Sequence, residues 1–304
     1  MASSRTVEVD GRELKLTNLD KVLYPKAGFS KGEMVDYYAR VADAMVPHLS
    51  GRAVTLRRFP EGVEDLDTAF FEKRCPKHRP SWVKTTSVRA GPNAGNIDFC
   101  VCDGRPTLVW MAQLAAIELH PSLSLGRAPT RPTVLAFDLD PGPPADVVDC
   151  CRVALRLREM FGHFGVESFP KTSGSKGMQV YVPLNKGLSY ETTKPFAKAI
   201  AQLLEKQTPD LVVSKMKKVE RGGKVFVDWS QNHRSKTTIA VYSLRARERP
   251  TASTPLRWEE VEKAADSGDG SELVFEAGEV LERIERHGDL FAPVLELKQD
   301  LPDL

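Results

Sequence analysis

Residues 134–140 read VLAFDLD, and a Pro-Gly pair follows at once. An apolar run of this length, bounded by prolines, predicts a strand that is buried on both faces. Because side chains alternate along a strand, Asp138 and Asp140 share one face and Leu139 takes the other. Two carboxylates so close together repel each other unless a positive group lies between them. The alternative is a strand that simply ends in a polar turn, since Asp, Pro and Gly are common turn residues.

The composition is that of a globular protein. The chain has 304 residues, of which 41% are hydrophobic and 28% are charged, and this length allows one large domain or two ordinary ones. No apolar stretch is long enough to span a bilayer, and the N-terminus lacks the hydrophobic segment of a signal peptide. We therefore expect a cytoplasmic protein that does not associate with membranes. Five cysteines, an odd number, do not suggest a disulfide framework.

The net charge of +2 conceals a strong asymmetry along the chain. Residues 214–249 hold ten Lys or Arg and three Asp or Glu, whereas residues 251–304 hold fourteen acids and five bases. The basic segment is a candidate surface for a polyanion, although an ordinary solvated face is the alternative. The acidic segment is most simply a solvated helical region.

Apolar spacing outlines the secondary structure. It predicts a helix from 31 to 49 and a second, buried helix that ends at His120. Two strands are predicted on either side of a glycine turn at 172–177, and two more end at Asp228 and Arg245. Strands mixed with helices and hairpin-length connections favour an α/β or α+β fold around a mixed sheet.

A third acid, Asp228, also follows an alternating apolar run, in VFVD at 225–228. Two acids at the end of one strand and one from another strand suit Mn²⁺ or Mg²⁺, which prefer carboxylate oxygens. Two such ions can activate an attacking oxygen and stabilise a leaving pyrophosphate. The D-x-D pattern alone is not specific, because glycosyltransferases that use nucleotide sugars also carry one.

The segment TSGSKG at 172–177 offers a possible phosphate site. Its glycines allow a tight turn, while Ser173, Ser175 and Lys176 supply hydroxyls and a cation. It lacks the spacing of a Walker A loop, and a plain hairpin connection is the alternative. Arg245 could add a second cation, and His120 could donate a hydrogen bond to phosphate, although a lone histidine is more often structural.

Two further groups of residues could have either a binding role or a purely structural one. Phe70 and Phe71 suit stacking on a base, but adjacent aromatics on a strand usually divide between core and surface, so we expect one to pack inward. Four residues could in principle bind zinc: Cys75, His78, Cys100 and Cys102. The C-x-C spacing of the last pair is short for such a site, so we favour buried thiols.

The chain contains, in this order, LTNLDKVLYP, AFFEK, FDLDPG, TSGSKG, VFVDWSQN and YSLR. Taken together, these motifs resemble the polymerase domain of bacterial ATP-dependent DNA ligase D. That domain belongs to the archaeo-eukaryotic primase superfamily. The resemblance extends from about residue 14 to 290, and implies a primase-like catalytic fold with mixed, largely antiparallel sheets flanked by helices. We expect a single catalytic domain over 1–304. Since no K-x-D-G ligase motif is present, we expect a free-standing primase-polymerase.

The resemblance implies an activity and a set of roles. The activity is nucleotide transfer to a 3′-hydroxyl in DNA repair, with a preference for ribonucleotides and two Mn²⁺ (or Mg²⁺) ions. The implied metal ligands are Asp138, Asp140 and Asp228. The implied nucleotide-binding residues are His120, Ser173, Ser175, Lys176, Gln231 and Arg245. The implied contacts to a DNA 5′-phosphate are Asn18, Lys21 and Lys31, and the implied stacking residues are Phe70 and Phe71. The stretches 85–99 and 215–223 match surface loops that juxtapose DNA ends.

The expected partners follow from the same resemblance. They are DNA with a gap or a 5′-phosphorylated end, NTP or dNTP, and further a Ku protein and a separate DNA ligase. Filling of short gaps in excision repair and joining of broken ends both agree with the motifs. A different class of protein, a DNA-end tethering module with little catalysis, is the alternative, although such a binder has no need of three convergent acids.

Overall fold

The structure is a computed structural model that describes residues 4–91 and 94–302. The strands are β1 (Ser4–Val9), β2 (Arg12–Thr17), β3 (Val22–Tyr24), β4 (Phe29–Ser30), β5 (Arg52–Arg58), β6 (Phe70–Glu72), β7 (Thr85–Gly91), β8 (Ala94–Cys100), β9 (Ala116–Leu125), β10 (Val134–Pro141), β11 (Phe169–Thr172), β12 (Met178–Pro183), β13 (Val212–Val213) and β14 (Val225–Asp228). The helices are α1 (Lys31–Leu49), α2 (Arg105–Gln113), α3 (Val147–His163), α4 (Tyr190–Gln207), α5 (Trp258–Ser267), α6 (Ala277–His287) and α7 (Pro293–Glu296).

These elements form two compact units, each assembled from three segments of the chain. The first unit comprises Met1–Ser122, Thr237–Ala252 and Glu276–Asp289. The second unit comprises Leu123–Lys236, Ser253–Phe275 and Leu290–Leu304. The prediction of a single catalytic domain over 1–304 is not tested by this division and stays a prediction.

The first unit contains a sheet in which the strands follow the order β6-β5-β8-β7, and β9 pairs with β5. Helix α1 packs against α2 and α6. It begins with a capping box, because Ser30 Oγ accepts a hydrogen bond from Glu33 N at 3.2 Å and the Glu33 carboxylate accepts one from Ser30 N at 2.7 Å. These reciprocal bonds satisfy amides that a helix start would otherwise leave unpaired.

The second unit is built on a sheet with the order β11-β12-β10-β14-β13. All neighbouring strands run antiparallel except β13 and β14, which are parallel. Alternation along the central strand β10 gives this sheet two different faces. Leu135, Phe137 and Leu139 enter a buried apolar core shared with α3, α4 and α5. The opposite face carries Asp138 and Asp140, so the strand that supplies the core also presents the acids.

The structure confirms the mixed α/β fold and largely antiparallel sheets, and it corrects two elements. His120 was expected at a helix end, but it lies within β9, because α2 ends at Gln113 and Ala115 turns the chain with a φ of 57°. Arg245 was expected to end a strand, but 237–245 holds only isolated bridges, Ser122 with Thr237 and Leu244 with Ala252. This segment is instead hydrogen-bonded to β9, as by Ala240 N to Leu119 O at 2.9 Å.

The prediction of buried thiols is wrong for two cysteines. Cys75 and Cys100 form a disulfide, with their Cα atoms 4.8 Å apart. The segment after β6 returns alongside β8, where Cys75 N donates to Asp98 O at 2.7 Å, and this brings the two sulfur atoms together. Cys102, Cys150 and Cys151 are buried free thiols. The disulfide also removes two of the four ligands that the zinc alternative requires.

None of the helices within residues 4–91 and 94–302 has both the length and the apolar character needed to cross a bilayer.

Candidate functional site

The acids of β10 belong to a row of polar side chains that crosses the sheet of the second unit. Asp138 lies opposite Gln179 of β12 on one side and opposite Asp228 of β14 on the other. Lys171 of β11 lies opposite Gln179 in turn. Directly opposed residues of antiparallel strands share one face of the sheet. We name this group the acid row (Lys171, Gln179, Asp138, Asp140 and Asp228).

The electrostatics of the acid row show an excess of negative charge. Burial, together with the charges of Asp140 and Asp228, raises the pKa of Asp138 to about 7. The hydrogen bond from Gln179 Nε2 to Asp138 Oδ1 at 2.9 Å and the charge of Lys171 act in the opposite direction but do not outweigh these effects. At Asp138, burial and the neighbouring carboxylates therefore outweigh the buried cation.

Lys171 was missed in the sequence and is the only lysine side chain among the described residues that is fully buried. Its Nζ donates to Ser253 Oγ at 2.7 Å and lies 5.5 Å from the centre of the Tyr181 ring. A lysine inside an apolar strand, in SFPKT, is the signal that could have identified it, since buried lysines occur only with partners.

A short turn after β14 holds Asp228 in place. Asp228 Oδ1 accepts hydrogen bonds from Ser230 N at 2.9 Å and Ser230 Oγ at 2.6 Å, and Oδ2 accepts one from Gln231 Nε2 at 3.0 Å. Asn232, which is fully buried, clamps the turn to β10: its Oδ1 accepts from Ala136 N at 2.9 Å and its Nδ2 donates to Ala136 O at 2.7 Å. The predicted ligand Asp228 and the predicted nucleotide-binding residue Gln231 are thus in direct contact.

The donor set of the acid row is suitable for a hard divalent cation. Three carboxylates lie on one face of the sheet, where Asp140 and Asp228 raise the pKa of Asp138, and the Oε1 of buried Gln179 has no hydrogen-bond partner. In the part of the chain that the structure describes, no three His, Cys, Asp or Glu side chains are grouped as a ready metal site.

The glycine turn at 172–177 packs directly on β10. A Cβ atom on Gly177 would lie 2.1 Å from Leu139 O, so only glycine permits this close approach. Ser173 organises the turn, because its Oγ accepts hydrogen bonds from Ser175 N at 3.3 Å and Gly177 N at 3.2 Å. Lys176 is exposed at the tip. The structure thus brings the predicted phosphate-binding turn beside the strand that carries Asp138.

The stretch 215–223 reaches the same strand. The Arg221 guanidinium lies 3.7 Å from the centre of the Phe226 ring, and Phe226 is the residue opposite Asp140. The backbone of this stretch passes so close to Gly142 that a Cβ atom there would lie 2.0 Å from Arg221 O. The predicted surface loop is therefore anchored next to the end of β10.

In the first unit, His120 and Arg245 meet at a buried carboxylate that the sequence did not reveal. Glu118 Oε2 lies 3.0 Å from His120 Nε2 and 3.2 Å from Arg57 Nη1, and Glu118 Oε1 lies 3.1 Å from Arg245 Nε. We name this group the Glu118 cluster (Glu118, Arg57, His120 and Arg245). Burial alone would raise the pKa of Glu118, but the hydrogen bond from His120 and the charges of Arg245 and Arg57 outweigh it and lower that pKa.

Phe70 and Phe71 both lie at the surface, so the prediction that one of them packs inward is wrong. Their exposed fractions are 42% and 57%. They occupy β6, a three-residue strand at the edge of its sheet. The guanidinium of Arg58 lies 5.2 Å from the Phe70 ring centre, and that of Arg57 lies 5.3 Å from Phe71. Cation–π contact therefore holds both rings while leaving them accessible for stacking.

Asn18, Lys21 and Lys31 are brought together at the start of α1. Lys21 N donates to Asn18 O at 3.1 Å and Lys31 N donates to Lys21 O at 2.8 Å. Lys21 Nζ pairs with Glu61 at 2.6 Å, whereas Lys31 is buried and its Nζ donates to Thr17 O at 2.9 Å. Burial, with the charges of Lys21 and Arg58, lowers the pKa of Lys31 to about 8.

The stretch 85–99 forms the hairpin of β7 and β8, in a register that runs from Thr85 opposite Cys100 to Gly91 opposite Ala94. Residues 92 and 93 lie outside the described residues. The hairpin adjoins the Cys75–Cys100 disulfide.

Comparison with known proteins identifies the family. The family model "LigD, primase-polymerase domain" matches residues 30–291. The multifunctional non-homologous end joining protein LigD of Mycolicibacterium smegmatis is 42% identical over 283 residues, which are 92% of this chain and 36% of that protein. The bifunctional non-homologous end joining protein LigD of Bacillus subtilis is 31% identical, over 95% of this chain and 45% of that protein. The chain thus spans less than half the length of these relatives.

A solved structure gives the same result for the fold. The polymerase domain from Mycobacterium tuberculosis Ligase D, in complex with DNA, superposes with a TM-score of 0.85 at 40% sequence identity. The match covers 94% of this chain and 99% of that one. The chain therefore belongs to the LigD primase-polymerase family of nucleotidyltransferases.

Proposed function

We propose that this chain is a DNA-directed primase-polymerase that fills short gaps or extends broken ends during DNA repair, and that it prefers ribonucleotides. Membership of the LigD primase-polymerase family supports nucleotide transfer in DNA repair. The observation that carries the proposal is the acid row, where three carboxylates from two strands share one face of the sheet with the buried Lys171. Such an excess of carboxylate oxygen is the chemistry that a nucleotidyltransferase needs to bind cations.

Asp138, Asp140 and Asp228 would hold two Mn²⁺ or Mg²⁺ ions. When bound, such ions lower the barrier for attack by a 3′-hydroxyl and neutralise the charge of the leaving pyrophosphate. The residues of the chain supply the site itself. Asn232 fixes the turn that carries Asp228 against β10, and Gln179 orients the Asp138 carboxylate.

Six polar residues would hold the incoming NTP or dNTP. They are His120, Ser173, Ser175, Lys176, Gln231 and Arg245. Lys176 is exposed at a turn whose backbone is organised by Ser173, as a cation that meets a phosphate should be. His120 and Arg245 share Glu118 as a partner, which places two donors side by side.

The first unit would also contact DNA. Lys21 and Lys31, assisted by Asn18, lie at the N-terminal end of α1, where the helix dipole favours an anion such as a 5′-phosphate. Phe70 and Phe71 present exposed rings for stacking. The related polymerase domain of known structure is in complex with DNA. We propose a Ku protein and a separate DNA ligase as partners, by analogy with the end-joining relatives, and a cytoplasmic location.

The experiment that tests the proposal is primer extension on DNA with a one- or two-nucleotide gap. We expect incorporation with Mn²⁺ or Mg²⁺, faster with ribonucleotides than with deoxyribonucleotides and faster at a gap than at a plain overhang. EDTA should abolish it. Activity retained in EDTA would remove the two-metal mechanism, while equal rates for both nucleotide types would remove the ribonucleotide preference.

A tethering protein with little catalysis is the second candidate, favoured by the exposed aromatic and basic side chains of the first unit. The variant Asp228→Ala separates the two. If the chain is a polymerase, the variant loses incorporation and still binds gapped DNA. If the chain is a tether, wild type and variant bind alike and neither incorporates nucleotide.

A further inference from the structure

Glu118 is a buried carboxylate with partners from several parts of the first unit. It is only 1% exposed, on β9. Both of its oxygens are used: Oε2 is shared by His120 Nε2 and Arg57 Nη1, while Oε1 accepts from Arg245 Nε at 3.1 Å and from Ala246 N at 3.1 Å. One side chain thereby joins strands β5 and β9 to the irregular segment around residue 245.

The carboxylate fixes the orientation of its partners. Since a carboxylate only accepts, the Nε2 atom of His120 carries the proton and donates it, and the ring is held with Nδ1 on its other side. Arg245 is held through Nε, which sets the plane of its guanidinium. Two long or rotatable side chains are thus ordered before any ligand arrives, and pre-organisation of this kind lowers the entropic cost of binding.

The same carboxylate reaches the aromatic edge of the sheet through two of its partners. The Phe71 ring centre lies 5.6 Å from that of His120 in an edge-on arrangement and 5.3 Å from the Arg57 guanidinium. Both groups that contact this exposed ring are therefore bonded to Glu118. Removal of the carboxylate would take away the partner that His120 and Arg57 share beside this ring.

A buried ion cluster is a weak source of stability, because the cost of burying charges offsets most of their attraction. The cluster also has more cations than anions, since Arg57 and Arg245 face one carboxylate, and the charges of these two arginines count among the causes that lower the pKa of His120, after burial. Such an excess suits an anionic ligand such as a triphosphate.

We propose that Glu118 is a positioning residue that orients His120 and Arg245 for the triphosphate of the incoming nucleotide and, through Arg57, steadies Phe71. This inference rests on the proposed nucleotide-binding role of His120 and Arg245. Glu118 acts through these side chains and does not itself touch the nucleotide.

The test is steady-state extension of gapped DNA by Glu118→Gln, which keeps the shape of the side chain and loses its charge. We expect the KM for the nucleotide to rise about tenfold, because His120 and Arg245 are no longer held in the orientation that binds the triphosphate, with kcat changed much less. The double variant Glu118→Gln with His120→Ala should raise the KM by less than the product of the two single effects, because both changes remove the same interaction. Glu118→Asp, which retains the charge, should recover part of the loss.

Asp289→Asn is a matched control in the same unit. Asp289 bonds His48 Nε2 at 2.8 Å and Tyr242 at 2.6 Å, so it is another shielded carboxylate that holds a histidine. This control should leave the KM unchanged, even if its melting temperature falls as far as that of Glu118→Gln.

Two outcomes would overturn the inference and can be told apart. If Glu118→Gln keeps a normal KM while His120→Ala and Arg245→Ala raise it, Glu118 is structural and the nucleotide-binding assignment stands. If all three variants keep a normal KM, the assignment of His120 and Arg245 fails together with the role of Glu118.

Discussion

In the acid row, three carboxylates share one face of the sheet with Lys171, whereas in the Glu118 cluster one carboxylate faces two guanidinium groups and an imidazole. Both groups are partly or wholly buried and both are tied together by hydrogen bonds. They differ in the sign of the charge left over. The pKa values follow that sign: that of Asp138 is raised to about 7, and that of Glu118 is lowered.

The difference in net charge indicates which kind of ligand each region is suited to bind. A surplus of carboxylates is tolerated in a fold only where a cation compensates it, and a surplus of buried cations only where an anion does. The acid row therefore suits divalent ions, and the Glu118 cluster suits phosphate. Neutralising a carboxylate should accordingly have opposite consequences for stability in the two regions.

The largest expected effect is that of Asp138→Asn. The asparagine Oδ1 can still accept the hydrogen bond from Gln179 Nε2, so the local geometry is retained. We expect incorporation to fall by about a thousandfold, equivalent to several kcal/mol of barrier. At pH 8 in EDTA, the variant should melt at a higher temperature than wild type, because one of three repelling charges is gone. Extension rates and thermal unfolding measure the two effects.

A metal titration sharpens that result. Added Mn²⁺ should raise the melting temperature of wild type and have little effect on Asp138→Asn. The charge-surplus interpretation of the acid row fails if the variant is less stable than wild type in EDTA.

The second effect concerns stability in the other region. Glu118→Gln leaves Arg57 and Arg245 without their carboxylate, and we expect it to lower the free energy of unfolding by about 2 kcal/mol, a value reduced because both arginines remain partly exposed. Chemical denaturation with a constant m-value would measure it. A stability gain, as predicted for Asp138→Asn, would show that the two regions do not differ as described.

What the sequence could predict was the local part of each region. Alternation along VLAFDLD placed Asp138 and Asp140 on one face, because that pattern depends only on strand geometry. The third acid was recognised from its own run at 225–228. That Asp228 lies opposite Asp138 depends on the register between strands ninety residues apart, which nothing local specifies.

The Glu118 cluster could not be predicted for the same reason. Glu118 meets Arg57, 61 residues away, and Arg245, 127 residues away, and in the sequence it was only part of an apolar run. That run looked like one helix, because periodicity does not distinguish a buried helix from a buried strand. The break between α2 and β9 falls at Ala115 with a positive φ, and alanine gives no warning of such a turn.

A smaller effect tests the aromatic edge that the Glu118 cluster supports. Phe71→Leu should weaken the binding of gapped DNA by about fivefold, corresponding to roughly 1 kcal/mol of lost stacking. Because the ring is exposed, the free energy of unfolding should change by about 0.5 kcal/mol or less. Phe164→Leu is a matched control, since Phe164 is 51% exposed in the other unit. Equal losses of affinity for both variants would mean that Phe71 has no special role in stacking.

The smallest expected effect is a pH dependence that arises at Lys31, a buried lysine whose Nζ donates to the backbone oxygen of Thr17. Its pKa is lowered to about 8, first by burial and then by Lys21 and Arg58. A lysine is charged below its pKa, so Lys31 is mostly charged at pH 7 and mostly neutral at pH 9. A 5′-phosphate stays doubly charged over this range, since its second pKa is about 6. The preference for gapped DNA with a 5′-phosphate over a 5′-hydroxyl should therefore decline by a few-fold between pH 7 and pH 9.

Lys31→Met should show a low preference that does not change with pH. In Lys21→Met the decline should move to higher pH, because the charge of Lys21 no longer opposes that of Lys31. An undiminished preference at pH 9, or the same decline in Lys31→Met, would exclude Lys31 as the titrating contact.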